Sequence, residues 1–159
     1  MDTSSAKPYA EIIPTRNKNW ITISFLFITP LLAIGLSILY IAQEGLMLVD
    51  LIPFLTLYIL TGMAITVGYH RYYTHRTFDC HPVMQFLMLA FGAASIQNSA
   101  IAWCSNHRYH HQFTDREGDP YDITRGFFYA HMGWMFHKDQ PNRPYKNVPD
   151  LKKDKLVMW

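Results

Sequence analysis

The sequence predicts an all-α integral-membrane fold, with two transmembrane helices followed by re-entrant or interfacial helices that carry clustered histidines. Three observations predict it. Residues 20–43 and 51–69 each run without a single Asp, Glu, Lys or Arg, half of the 159 residues are hydrophobic, and all eight histidines fall after residue 69. About 20 apolar residues at about 1.5 Å each cover a hydrocarbon layer about 30 Å thick, so each run can span it. The helices of a soluble bundle would keep a charged or strongly polar stripe toward water over that length. A cleaved signal is a poor fit, since the first run begins late, is too long, and is followed by a second span.

Basic residues orient the pair. Lys7, Arg16 and Lys18 precede the first run, Arg71 and Arg76 follow the second, and the connector 44–50 has none. The positive-inside rule therefore puts both outer flanks on the cytoplasmic side. The chain divides into a cytoplasmic N-terminal segment (1–19), a transmembrane helical pair (20–69), a cytoplasmic histidine region with interfacial helices (70–137), and a polar tail (138–159). Cys80 and Cys104 then lie in a reducing compartment and predict no disulfide. A net charge of +2, with no phosphate-binding loop and no dinucleotide fingerprint, points away from a nucleic-acid or nucleotide partner.

The histidines form a pair and a triplet. His70 and His75 stand at the end of the second span, and His107, His110 and His111 fall within five positions. On a helix at 100° per residue, His110 lies about 60° to one side of His107 and His111 about 40° to the other, so the triplet can face one point. The first pair, about 140° apart on an ideal helix, converges only if the helix ends or is distorted. Imidazole suits iron, zinc, copper and nickel, so ligand type alone does not choose the metal. Five histidines exceed the needs of one structural zinc and suggest more than one ion. No Glu-x-x-His pair of the ferritin type is present.

Between the clusters lies a third apolar run, 83–104. If it crossed the membrane, the clusters would be on opposite faces. Gln85, Gly92, Ser95, Gln97, Asn98 and Ser99 interrupt it, and polar groups in lipid are costly, so it reads as a broken, re-entrant pair of helices. Both clusters then reach one site. Asp115, Glu117, Asp119 and Asp122 follow; such carboxylates can accept the second N–H of a ligand imidazole, or serve an ordinary turn around Gly118-Asp119-Pro120.

The segments 68–78 (GYHRYYTHRTF) and 106–111 (NHRYHH), with Asp119-Pro120 and 125–134 (RGFFYAHMGW) beyond them, resemble the membrane-bound delta-9 acyl-CoA and acyl-lipid desaturases, the stearoyl-CoA desaturase family. The resemblance runs from about residue 16 to residue 140. It implies a four-span helical fold with a cytoplasmic cap, of which this chain would hold two spans. It implies His70, His75, His107, His110 and His111 as ligands to two non-haem iron ions, O2 as co-substrate, a saturated acyl-CoA or lipid-linked acyl chain as substrate, a cis double bond as product, and a ferredoxin or cytochrome b5 type electron donor. No catalytic residue beyond the metal ligands is implied. By position, Trp103 matches a tunnel residue, Gln97 and Asn98 match polar residues near the thioester and head group, and Lys138 matches a basic residue near the CoA phosphates.

The sequence departs from the family at Ser105-Asn106, where animal enzymes carry an Arg-Asp pair, and at His137, where they carry Arg. The family's third box, His-x-x-His-His, and two spans are absent, so the chain is expected to be an incomplete portion, inactive alone. A histidine-box hydroxylase, a zinc membrane hydrolase and a non-catalytic membrane remnant are the alternatives.

Overall fold

The computed structural model describes residues 17–138 and 144–158, so the N-terminal segment through Arg16, with Lys7, lies outside the described residues. Among these residues the chain is helical, with an isolated bridge between Lys18 and His137 in place of any strand. Helix α1 is Trp20–Glu44. Asn19 caps it, its Oδ1 accepting from the Thr22 N–H at 3.3 Å. Gly45, at φ 78°, ends it in a conformation that glycine adopts without a side-chain clash.

Helix α2, Leu48–Met63, begins on a carboxylate that serves both spans. Asp50 accepts the Met47 N–H at 3.1 Å and the Tyr40 hydroxyl of α1 at 3.0 Å. Thr29, Thr61 and Thr66 turn their hydroxyls back onto the carbonyls of Phe25, Leu57 and Gly62, which satisfies polar groups that lipid would leave unpaired. α1 and α2 bury none of their own residues, as lipid-facing helices can. Two helical stretches, Trp20–Glu44 and Leu48–Thr74, are long and apolar enough to cross a membrane.

Past Met63 the second span changes pitch. Ala64–Thr74 is a π-helix, closed by bonds between residues five apart, such as His75 N–H to His70 C=O at 3.1 Å. Helix α3, Pro82–Ala94, starts on Pro82 with the His81 ring accepting from Val83 N–H, and lies against α2 and the π segment. That approach depends on Gly92: a β-carbon there would lie 2.4 Å from the Tyr69 ring. α3 stops at a polar loop containing Ile96 and Asn98 at positive φ, and Ser99 caps α4, Ala100–Phe113. The run 83–104 is thus broken into two helices where its polar residues fall.

Beyond α4, α5 (Phe127–His131) and a short turn, Gly133–Phe136, lead back to α1, where Phe136 packs on Phe27 with ring centroids 6.0 Å apart. The core gathers Tyr69 and Tyr73 from the π segment, Met88 from α3, Ala100 and Cys104 from α4, and Val148 and Leu151. Those last two belong to the stretch expected to be a polar tail. Residues 144–158 lie packed on the core because Val148 and Leu151 supply apolar anchors between the lysines.

Candidate metal centre

The π segment solves the geometry of the first histidine pair. In an α-turn the residue stacked over position i is i+4; in a π-turn, with its i→i+5 bond, it is i+5. His70 and His75 therefore share a face, with ring centroids 4.7 Å apart. α4 presents His107 and His111 four apart, the ordinary α-helical spacing, and their Nε2 atoms lie 3.1 Å from each other. The two pairs meet edge to face: His70 is 4.6 Å from His107 and His75 is 4.8 Å from His111. Both clusters lie on one side of the fold.

One nitrogen from each of these four rings falls within 4.8 Å of the others. Imidazole nitrogens held about 2 Å from one ion lie about 3 to 4 Å apart, so the set fits a single transition-metal ion with slight contraction. Burial lowers the His107 pKa to about 4, with His70, His111, His75 and His110 adding to the effect. His75 is lowered too, by burial first and then by His70, His111 and Arg108. For His107 and His75, burial and neighbouring imidazoles thus favour the neutral form, which has a lone pair for a metal.

His110 departs from the expected convergence. Its Nδ1 lies 3.0 Å from both carboxylate oxygens of Asp119. Asp119 is buried and also accepts backbone N–H bonds from Asp115 at 2.9 Å and Tyr121 at 2.8 Å. An ionised carboxylate only accepts, so Nδ1 carries the proton that faces Asp119, and Nε2 is the ring nitrogen left over for a metal. Asp119 thus does both jobs read from the sequence, shaping the turn and orienting an imidazole. The pull of that carboxylate sets His110 apart from the other four, and three rings on one helix face become two plus one.

Of the remaining sequence-predicted residues, Trp103 lies closest to the histidines, 5.0 Å from the His107 ring and 6.4 Å from that of His70. Its indole N–H donates to Gln97 Oε1 at 3.3 Å. Asn98 sits exposed in the same loop at φ 75°. Lys138 is near the start of α1, its backbone N–H donating to Asn17 at 2.9 Å. An open, largely apolar hollow of about 600 Å³, lined by Tyr58, Met63, Thr66, Ala94 and Gln97 among others, runs from α2 to the α3–α4 loop.

Sequence reading missed Arg108 and Asp150. The Arg108 guanidinium grips Asp150 with two nitrogens, at 2.7 and 2.8 Å, and one of these also donates to Tyr73 C=O at 2.9 Å. The one available signal was an arginine wedged between ligand candidates; its partner is 42 residues away.

No family model matches the chain. Among curated proteins it is similar to a "Probable acyl-CoA desaturase" of Schizosaccharomyces pombe, 35% identical over 145 residues, which is 91% of this chain and 29% of that protein. It is 45% identical over 94 residues to "Acyl-CoA desaturase 1" of Saccharomyces cerevisiae, covering 59% of this chain and 18% of the relative. It is 37% identical over 107 residues to "Stearoyl-CoA desaturase" of Sus scrofa, covering 64% of this chain and 30% of the relative. The chain spans less than a third of the length of each of these relatives.

Proposed function

With acyl-CoA desaturases as the proteins this chain resembles, we propose that it supplies the first two histidine clusters of a di-iron fatty acid desaturase. The observation that carries the reading is the convergence of His70, His75, His107 and His111 from two helices onto one point. These four would hold one iron, and His110, its Nε2 freed by Asp119, would serve a second. Bound iron would supply O2 activation: O2 takes two hydrogens from a saturated acyl chain, two electrons from a ferredoxin or cytochrome b5 type donor and two protons from solvent, leaving as two waters, and a cis double bond remains on the chain. The site lies on the cytoplasmic side, as the flanking basic residues indicate.

The chain's own residues do the positioning. Asp119 fixes the His110 proton on Nδ1. Burial keeps His107 neutral. Trp103, packed on His107 and bonded to Gln97, connects the histidines to the apolar hollow beside α2, a route that suits an acyl chain entering from lipid. Asn98 and Lys138 are assigned to the head group, acyl-CoA or acyl-lipid.

The test is metal content with histidine variants. The purified chain, loaded with Fe(II) anaerobically, should retain iron that His107→Ala abolishes, whereas His110→Ala should leave the four-histidine ion in place. Iron retention unaffected by His107→Ala would refute the assignment. With labelled saturated acyl-CoA given to a full-length relative, loss of two hydrogens identifies a desaturase and gain of one oxygen a hydroxylase.

A further inference from the structure

We propose that Arg108, clamped by Asp150, is a positioning residue that sets the separation between the two histidine pairs; this rests on the reading of the four histidines as metal ligands. Arg108 directly follows His107 on α4. Tyr73, whose carbonyl it binds at 2.9 Å, lies between His70 and His75. That carbonyl is in the last turn of the π segment, where helices leave backbone acceptors without intrahelical donors and where a cation is favoured. One guanidinium therefore fastens the element carrying the first pair to the element carrying the second.

Asp150 fixes the guanidinium in turn. The contact is two-pronged, at 2.7 and 2.8 Å, and Arg76, just past His75, binds the same carboxylate at 2.5 Å. Asn147 adds its carbonyl to Arg108 at 3.0 Å. It also exchanges side-chain bonds with Ser105, Oγ to Oδ1 at 2.7 Å and Nδ2 to the Ser105 carbonyl at 2.8 Å. α4 is thus held at positions 105 and 108, on either side of His107, by one short stretch of chain. A fork of this kind constrains orientation as well as distance; a lysine, with a single point of charge, cannot reproduce it. Metal–ligand bond lengths are narrow, within about 0.2 Å, so how near the two histidine pairs are held bears on binding as well as on stability.

The test uses the full chain in detergent, with Co(II) as the probe. Asp150→Asn and Arg108→Lys should each weaken Co(II) binding about 10-fold and shift its ligand-field bands. Val157→Ala trims the same segment away from Arg108 and serves as the stability control. It should lower the melting temperature while leaving the bands in place. Wild-type affinity and wild-type bands in Asp150→Asn would overturn the proposal and leave the metal reading intact, as would band shifts in Val157→Ala equal to those in Asp150→Asn. Failure of the wild-type chain to bind Co(II) at all would remove the metal reading and this proposal together.

Discussion

Replacing Gly92 by alanine tests the packing that carries His70. A β-carbon there would lie 2.4, 2.6 and 2.9 Å from Cε1, Cζ and the hydroxyl oxygen of Tyr69, against an ordinary contact of about 3.5 to 4 Å. The ring would have to retreat by about 1 Å, and it has little room: Tyr69 is 2% exposed, with Trp103 at 6.0 Å and Tyr73 at 6.5 Å. Overpacking of this severity costs about 3 kcal/mol, offset by about 1 kcal/mol from removing a helical glycine, for a net loss of about 2 kcal/mol. Gly35, in the middle of α1, has nothing within 4 Å of its would-be β-carbon. Gly35→Ala should therefore show the propensity gain alone, about 1 kcal/mol. Denaturant unfolding followed by circular dichroism in detergent measures both. Equal effects for the two substitutions would refute the claim that α3 and the π segment are in close contact at Gly92.

Asp150 gives the chain an acid-sensitive fastening. The hydrogen bonds from Arg108 hold its carboxyl pKa down to about 2 from 3.8. A group depressed on folding stabilises above its unfolded pKa, so the contribution, about 2 kcal/mol, should be complete above about pH 5 and fade as pH falls toward 2. Asp150→Asn should flatten that part of the pH–stability curve, and an unchanged acid limb would contradict the assignment. The two cysteines should react differently with maleimide. Cys104 is fully buried and burial raises its pKa to about 11, while Cys80 is partly exposed. One label per native chain, on Cys80, and two after denaturation are expected; rapid labelling of Cys104 in the native chain would show that the core opens.

The spans were legible because the absence of formal charge over 20–43 and 51–69 has few other physical explanations. So was the break within 83–104, where Ser95, Gln97, Asn98 and Ser99 are ill suited to lipid. The pairing of His70 with His75 was legible only as a requirement for distortion, since a spacing of five does not say which distortion supplies it. The π segment supplies it. The contact of His110 with Asp119 was beyond the helical wheel, because the wheel fixes where a β-carbon points and Asp119 decides where the ring goes. The docking of residues 144–158 was not legible. It depends on Arg108 meeting Asp150, a pairing that no local pattern announces, and on Val148 and Leu151, two apolar residues in a lysine-rich stretch.

The widened coil of Ala64–Thr74 makes ligand spacing a matter of chain length. An α-helical site with partners four apart becomes one with partners five apart when a single extra residue is absorbed into the coil, with the helix above and the ligand below left in register. At such a site an inserted residue is taken up by the coil without displacing the ligand that follows it. Point substitution between His70 and His75 would retouch the lining and leave the span of the grip as it was.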